Sequence, residues 1–343
     1  NENAAIEIPD TYFSKFLMNR YDANEDKKLT KSELEAITEL ALWSTNKDMY
    51  VVPLRGLGSL AGIEYMTNLQ KLDIRNSINV KALDVTKNAK LTELLIQGTA
   101  ISTIDLSGNP ELKVLNVNDS KLTALDVTKN TKLEKLYASN IAVSTIDLSA
   151  NTALRVLNAG FSGITSIDLS KNTALKAMNA GRNALTSINV AGLANLKYLT
   201  VSNNPELASV SLNGLSNLVG LYAGWTGLTS IDIAANTKLA VVSVNDTKLT
   251  SISTAANAAT LRGLRIDGSQ MTTYDVSGNQ SLKYLMAEGT PSLKTIKVWD
   301  EFNKLVPVST FYKDEATEWE GGYLPETAQG INLSENGNAN CYI

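Results

Sequence analysis

The 343-residue sequence contains no histidine and a single cysteine, Cys341. Without histidine it cannot build histidine-dependent catalytic triads or histidine-ligated metal centres. One cysteine cannot form an intramolecular disulfide or a thiol–imidazole pair. No two carboxylates have a spacing that predicts an acid and a base facing each other across a cleft. These absences remove most familiar hydrolase chemistry, and we expect a protein that is not an enzyme.

The sequence also lacks a strong charge bias and long apolar runs. Lys and Arg number 31 and Asp and Glu number 35, for a net charge of −4, and no basic cluster stands out along the chain. This balance argues against a nucleic-acid-binding protein. The apolar runs are far shorter than the roughly 20 residues of a transmembrane helix. Because the chain starts at Asn1, we expect that any export signal has been removed.

The dominant feature is an internal repeat. A motif of apolar, Asp, apolar, Ser or Thr, any residue and Asn begins at Leu83 and returns 21 residues later at Ile104. Eleven copies align, the later ones weaker, with starts at Leu83, Ile104, Leu125, Ile146, Ile167, Ile188, Val210, Ile231, Ile252, Tyr274 and Ile296. A repeat of this length indicates a solenoid, since one unit is too small to bury its apolar face alone and stacked units build a continuous core.

One repeat unit defines the apolar columns of the solenoid. From Leu112 to Asn130 the template is LxxLxVxxxxLxxLDVxxN. The LxxLxV part predicts a parallel strand that stacks on its neighbours at about 4.8 Å. The remaining residues leave little room for a full helix, so we expect short strand-like or 3₁₀ segments on the opposite side of each coil.

This pattern resembles the short leucine-rich repeats of bacterial internalin-like surface proteins, over roughly Leu57 to Val298. The stretch from Leu57 to Leu72 is similar to the first repeat of that family. The resemblance implies an α/β, mostly β, leucine-rich repeat right-handed superhelix with a small helical N-terminal cap. It divides the chain into a cap (1–50), a solenoid (51–298) and a C-terminal cap with the possible start of a further module (299–343). It also implies an exported protein, extracellular or at the cell surface, with an adhesive role.

A column of aspartates accompanies the repeat, at Asp84, Asp105, Asp126, Asp147, Asp168, Asp232 and Asp275. Like charges about 5 Å apart repel, which raises the possibility of a calcium ladder. Most of these aspartates stand two residues before Ser or Thr and four before Asn, a spacing that favours side-chain hydrogen bonds capping a turn. Lys87, Lys129 and Lys171 supply counter-charge. We favour turn capping.

The N-terminal segment contains a metal-binding motif. Residues from Tyr12 to Leu42 predict two helical stretches around the loop DANEDKKLTKSE. This loop resembles an EF-hand, which places calcium ligands at Asp22, Asn24, Asp26, the Lys28 carbonyl, Thr30 and Glu33. Lys27 stands where the family has glycine, at a cost on the order of 1 kcal/mol if the backbone there is left-handed. The alternative is a degenerate loop in which Thr30 and Glu33 form a capping box.

The exposed face of the stacked strands is where we expect a ligand. Its outward columns have a centre of glycine and serine, and aromatic residues surround that centre. Rings beside amides and hydroxyls suit a sugar ring or a peptide strand. The predicted ligand-binding residues are Tyr137, Phe161, Arg182, Tyr198, Tyr222 and Trp225. Alternatively, the rings only cover coils whose inward residues are small, at Ala138, Ala159, Ala180 and Ala223.

The sequence therefore predicts a monomeric binding or adhesion protein that holds a glycan or glycoprotein. The alternatives are a scaffold module that binds a protein partner without glycan binding and a calcium-sensing or calcium-stabilised protein. After Val298 the repeat is lost, and Trp299 to Tyr323, with Phe302, Phe311, Tyr312 and Trp319, predicts a cap on the last coil. The final stretch, GINLSENGNANCYI, resembles the start of a module that follows repeat arrays, so we expect the natural chain to continue.

Overall fold

The computed structural model describes residues 4–42, 56–299 and 311–320. Within them, helix α1 spans Thr11–Tyr21, helix α2 spans Lys31–Glu35, and 3₁₀ turns cover Ile63–Tyr65 and Ala255–Asn257. The first strands are β1 (Glu39–Ala41), β2 (Lys71–Asp73), β3 (Glu93–Leu95), β4 (Val114–Asn116), β5 (Lys135–Tyr137), β6 (Val156–Asn158), β7 (Ala177–Asn179) and β8 (Tyr198–Thr200). The others are β9 (Gly220–Tyr222), β10 (Val241–Ser243), β11 (Gly263–Arg265), β12 (Thr273–Asp275), β13 (Tyr284–Ala287), β14 (Thr295–Lys297), β15 (Phe311–Lys313) and β16 (Glu318–Glu320).

The strands form a parallel solenoid. In the described part of the chain, thirteen of them make one sheet in the order β1 to β11, then β13 and β15. The register runs straight through it: Leu115 pairs with Leu136, which pairs with Leu157. Because each strand is displaced by one repeat from the next, residues 21 or 22 apart in sequence lie side by side. The predicted strand columns are therefore confirmed.

The core is the stack of inward columns. Leu115, Val117 and Leu122 of one coil are fully buried, as are their counterparts in neighbouring coils. The inward alanines Ala138, Ala159, Ala180 and Ala223 are also fully buried. Each coil buries apolar area only against its neighbours, so the stability of the array arises from stacking.

The opposite side of the coils consists mainly of turns, joined by a ladder of buried asparagines. The Nδ2 of Asn130 donates to the carbonyls of Leu106 and Asn109 in the preceding coil, at 3.1 and 2.8 Å. The same arrangement is made by Asn88, Asn109, Asn151, Asn172 and Asn236. We call this the convex ladder. It supplies donors to buried carbonyls that the short strands leave unpaired.

The aspartate column caps turns, as predicted. Asp126 Oδ1 accepts from the Thr128 amide at 2.9 Å and from its hydroxyl at 2.7 Å. The aspartates at 84, 105, 147, 168, 232 and 275 make the equivalent backbone bond. The pKa values of the Asp84 and Asp126 carboxyls are lowered, chiefly by the hydrogen bonds from the hydroxyls of Thr86 and Thr128. The positive charges of Lys87 and Lys129 contribute to the lowering.

The N-terminal helices connect to the solenoid through strand β1, which pairs with β2. Asp10 caps α1 and also accepts from the amides of Gly58 and Ser59, at 2.9 and 3.0 Å. These backbone bonds lower the Asp10 carboxyl pKa against an opposing effect of burial, which is its largest single influence. The side chains of Phe13 and Leu17 are fully buried. The segment therefore covers the first coils, as a terminal cap must.

The C-terminal coils of the solenoid carry a second, three-stranded sheet, in which β14 lies between β12 and β16. The predicted 3₁₀ and strand-like segments occur at Ile63–Tyr65, at Ala255–Asn257 and in these three strands. The other described coils have turns there, so the prediction was wrong for most coils. Phe311 and Tyr312 are buried where β15 extends the main sheet. Phe302, Tyr323, Cys341 and the final stretch from 330 lie outside the described residues. No described helix is long and apolar enough to cross a membrane.

Candidate functional site

The strand face presents three outward columns, and the middle column is uncharged from β4 to β10. The middle column runs through Asn116, Tyr137, Asn158, Asn179, Thr200, Tyr222 and Ser243 in consecutive strands. Charges concentrate toward the ends, where Asp73 pairs with Arg75 at 2.9 Å and Asp267 pairs with Arg265 at 2.8 Å. The middle column is therefore built from rings, amides and hydroxyls.

One residue in each turn after a strand adopts left-handed backbone. We call these the lip residues: Asn76, Gly98, Asp119, Asn140, Phe161, Arg182, Asn203, Trp225, Asp246, Gly268 and Gly289. In nine of them the lip amide donates to a carbonyl of the next coil, as Phe161 does to Gly181 at 3.0 Å. Glycine, asparagine and aspartate are the residues that tolerate this conformation best.

Three lip residues break that preference. Phe161, Arg182 and Trp225 have φ of 57°, 55° and 58°. A left-handed conformation costs such residues about 1–2 kcal/mol. Phe161 is 51% exposed and Trp225 is 57% exposed, so most of each ring does not repay this strain by burial. This argues against the interpretation that these two rings only cover small inward residues, since bulky residues in strained backbone cluster at functional sites.

Phe161 and Arg182 lie together on adjacent coils. The Arg182 guanidinium carbon is 4.4 Å from the centre of the Phe161 ring, a cation–π contact. The strand face beside them is formed by Gly160 and Gly181. A Cβ atom on Gly160 would lie 3.0 Å from the Gly181 carbonyl oxygen, and one on Gly181 would lie 3.1 Å from the Ser202 carbonyl oxygen, so neither position has room for a larger residue without a shift. The pair therefore stands at the edge of a low, close-packed surface.

Tyr198 and Tyr222 form a second group. They lie in adjacent strands, and a Cβ on Gly220 would meet the Tyr198 ring at 3.0 Å and the Tyr222 ring at 3.2 Å. Both tyrosines are half-buried. Trp225 follows in the lip of the same coil as Tyr222, beside Gly224, whose missing side chain leaves room for Asn245.

The structure thus places the six predicted ligand-binding residues in two groups and one outlier. Phe161 and Arg182 form one group, and Tyr198, Tyr222 and Trp225 the other. The outermost two, Phe161 and Trp225, are three coils or about 15 Å apart along the solenoid, and Arg182 and Tyr198 lie on adjacent coils. Tyr137 lies in the same column as Tyr222 but four strands away. Burial raises the pKa of its hydroxyl.

Two supporting asparagines were missed by the sequence interpretation. Asn183 Oδ1 accepts from the amides of Ser162 and Ile164, at 3.0 and 3.1 Å, and its Nδ2 donates to the carbonyls of Ala159 and Ala180. These four bonds fix the turn that carries Phe161. In the next coil Asn204 donates to Ala180 and Val201 and accepts from the Leu185 amide. Most other coils have Ser or Thr at this position, so the asparagines were the available signal in the sequence.

The predicted calcium loop has the backbone of an ion-binding loop at its sixth position. Lys27 has φ of 63°, and its amide donates to Asp22 Oδ2 at 2.9 Å. The other Asp22 oxygen is buried without a hydrogen-bond partner among the described residues. Leu29 is buried and its carbonyl accepts from the Ile6 amide at 2.7 Å. The loop therefore pairs with the N-terminal strand-like segment at its eighth position.

The carboxylate of Glu33 is turned toward the backbone of the loop. Glu33 accepts from the amides of Ala23 and Thr30, which holds its pKa below the usual value, the Thr30 amide being the largest cause. Thr30 and Glu33 form the predicted capping box of α2. Among the described residues no three acidic or cysteine side chains lie close enough to hold a metal ion. The oxygen donors fit calcium in kind, and Asp22, Asn24, Asp26, Lys28, Thr30 and Glu33 would hold it.

Comparison with known proteins identifies the fold. No family model and no curated protein matches the sequence. The functional domain of InlJ from Listeria monocytogenes, which includes a cysteine ladder, is similar with a TM-score of 0.70 and 23% identity, over 85% of this chain and 64% of that one. The internalin InlF of the same species is similar with a TM-score of 0.68 and 19% identity, over 92% and 96%.

A more distant similarity joins the chain to a plant receptor. The ectodomain of the Arabidopsis thaliana receptor kinase GASSHO1/SCHENGEN3, solved with CASPARIAN STRIP INTEGRITY FACTOR 2, has a TM-score of 0.52 and 17% identity, over 76% of this chain and 31% of that one. Together these structures confirm the predicted fold class, a mostly β leucine-rich repeat solenoid with a small helical N-terminal segment. The chain spans less than two thirds of the InlJ domain.

Proposed function

We propose that this chain is a non-enzymatic, exported binding protein whose strand face, in the coils of β6 to β9, holds a glycan or glycoprotein. The observation that carries the proposal is the pair of exposed aromatic lip residues, Phe161 and Trp225, kept in left-handed backbone. Residues that cost stability in the free protein are expected where they contribute to binding.

The chemistry of the face suits a sugar. The rings of Tyr198, Tyr222 and Trp225 offer flat apolar area, and the neighbouring Asn158, Asn179 and Thr200 offer amide and hydroxyl groups that can orient polar ligand atoms. The glycines at 160, 181, 220 and 224 keep the floor low, so a ring-shaped ligand can approach the backbone. The Phe161–Arg182 group and the group of Tyr198, Tyr222 and Trp225 lie on successive coils, so one ligand can span both.

A scaffold that binds a protein partner without glycan is the second candidate. Aromatic and arginine side chains such as Trp225 and Arg182 are also common anchors of protein interfaces. The similarity to a receptor ectodomain solved with another factor supports this alternative. It predicts that recognition survives removal of all glycan from the partner.

The test is binding of the chain to a panel of glycans and glycoproteins, beside the variant Tyr222→Ala/Trp225→Ala. We expect selective binding that weakens at least tenfold in this variant, because central aromatic anchors each contribute about 2 kcal/mol or more. The matched control is Tyr12→Ala/Tyr65→Ala, which removes two exposed tyrosines away from the strand face.

Three outcomes would decide between the candidates. Loss of binding in Tyr222→Ala/Trp225→Ala but not in the control, with equal melting temperatures, supports recognition on the strand face. Binding that persists after enzymatic deglycosylation of the partner supports the scaffold. If no glycan binds, or the variant binds as well as the parent, the glycan proposal is wrong.

A further inference from the structure

Three cations occupy one column of the coils that carry β6, β7 and β8. Arg155, Lys176 and Lys197 each precede a strand, and the amide of Lys197 donates to the Lys176 carbonyl as that of Lys176 donates to Arg155, both at 2.8 Å. All three side chains are exposed. We call them the cationic row. Their spacing along the sequence hides them from a search for basic clusters, but the solenoid places them side by side.

The row is poorly neutralised by the protein. Arg155 lies 3.6 Å from Glu134 in the preceding coil. Lys176 and Lys197 have no ion pair with any described residue, whereas Lys132, in the turn before β5, contacts Glu111 at 2.6 Å. Like charges one coil apart repel, and side chains opposite each other in a sheet feel this directly. An anionic ligand would relieve that repulsion.

The row borders the proposed ligand site. Lys197 directly precedes Tyr198, whose ring lies against Gly220 with that of Tyr222. Lys176 precedes β7 and Arg182 follows it, so cations stand at both ends of this strand. A ligand held on the tyrosine rings therefore has the cationic row within reach along the solenoid axis.

We infer that the strand face selects an acidic polysaccharide, with a carboxylate or sulfate on successive sugars, which runs along the solenoid axis against Arg155, Lys176 and Lys197. The inference rests on the proposed function and specifies its ligand class. The coil repeat of about 4.8 Å is close to the length of one pyranose residue, so this spacing lets successive sugars face successive coils. An extended acidic peptide presents same-side charges every two residues, roughly 6.6 Å, and matches the row less well.

The experiment compares two triple variants with the same change in net charge. Arg155→Gln/Lys176→Gln/Lys197→Gln removes the cationic row, and Lys87→Gln/Lys129→Gln/Lys171→Gln removes three exposed lysines beside the aspartate column on the other side of the coils. The probes are polygalacturonate, heparin, a neutral dextran, polyglutamate and single-stranded DNA. Melting temperatures confirm that both variants fold.

We expect the cationic-row variant to bind polygalacturonate or heparin about tenfold more weakly than the parent, the sum of three exposed charge contacts. The lysine control should change this affinity less than about twofold, and added salt should weaken the parent's binding. Dextran should bind more weakly than either acidic glycan.

Four results would overturn the inference. If neutral and acidic glycans bind equally and the cationic-row variant binds as the parent does, the ligand class is wrong while the proposed function stands. If both triple variants lose affinity equally, the attraction is a net-charge effect and the row is not a site. If polyglutamate or DNA binds as tightly as the acidic glycans, the row does not select a glycan. If no glycan binds, the proposed function is wrong, and the inference, which rests on it, is wrong as well.

Discussion

Two coils differ from the others in where their asparagine lies. We call residues 177–197 and 198–219 the central coils. In a regular coil Asn130 stands on the convex side, and Ser120 occupies the turn after the strand. In the central coils the convex positions are the buried Leu193 and Leu215, and asparagine moves to the turn after the strand, as Asn183 and Asn204.

The comparison shows that stacking needs a side-chain donor in each coil but does not specify on which side. Asn130 and Asn183 both donate to two carbonyls. Only Asn183 also accepts from two backbone amides, and these belong to the turn of Phe161. In the central coils the asparagine donor therefore lies in the turn after the strand and not on the convex side. There it fixes the turns between Phe161 and Trp225.

The largest expected effect comes from breaking this exchange at Asn183. Asn183→Leu removes four hydrogen bonds and should lower the free energy of unfolding by about 3 kcal/mol, whereas Asn130→Leu removes two and should cost about 2 kcal/mol. Urea denaturation measures both. Asn183→Leu should also weaken ligand binding, because the Phe161 turn loosens. Equal losses of stability, with binding intact in both variants, would contradict a supporting role for Asn183.

The next effect has the opposite sign. Trp225→Asn places a residue that tolerates left-handed backbone in the lip and should raise the free energy of unfolding by about 0.5–1 kcal/mol. The same variant should lose ligand affinity. The reverse change, Asn203→Trp, should destabilise by a similar amount without improving binding. A Trp225→Asn protein that is less stable than the parent would show that the indole contributes more by packing than the strain costs.

Much of this architecture could be predicted because the repeat is redundant. Apolar columns at fixed spacing define the strand and its inward face, so Leu115 and Leu136 could be placed side by side from the sequence alone. Turn capping by Asp126 follows from local spacing. Such features depend on residues within one coil or on the repeat period.

The features that were missed depend on contacts between coils. Asn183 gains its role from amides in the preceding coil, and the cationic row forms only when Arg155, Lys176 and Lys197 are stacked. These three cations are about 21 residues apart in the sequence and form no cluster along it, but the fold brings them side by side. The left-handed backbone of Phe161 accompanies a hydrogen bond from its amide to Gly181 in the next coil, which composition and periodicity do not reveal.

The left-handed strain also occurs outside the solenoid and gives a separate test of its size. Lys27→Gly should raise the free energy of unfolding by about 0.5–1 kcal/mol, because glycine adopts φ of 63° freely. We propose that this loop binds calcium, and removal of the lysine charge should then increase the calcium-dependent rise in melting temperature. Glu33→Gln should abolish that rise. If calcium changes the melting temperature of neither the parent nor Lys27→Gly, the loop is a helical cap only.

The smallest effect concerns pH, and it again separates regular from central coils. The hydrogen bonds from Thr128, that of its hydroxyl above all, lower the pKa of Asp126. A carboxyl whose pKa is lower in the folded protein than in the unfolded chain stabilises the fold fully at pH values above its unfolded-state pKa. This contribution is lost as the pH falls through its folded-state pKa. The central coils have Asn189 and Ser211 at this position, and Asn189 caps its turn without charge, its Oδ1 accepting from the Ala191 amide at 3.0 Å.

Asp126→Asn therefore imitates a central coil. Its carboxamide oxygen can keep the bond to the Thr128 amide, so stability at neutral pH should change by less than about 0.5 kcal/mol. Below about pH 4 the variant should lose less stability than the parent, in unfolding curves measured from pH 7 to pH 3. With no histidine in the chain, both proteins should be nearly flat between about pH 5 and 8. An identical acid response of the two would mean that protonation elsewhere, outside the aspartate column, controls acid unfolding.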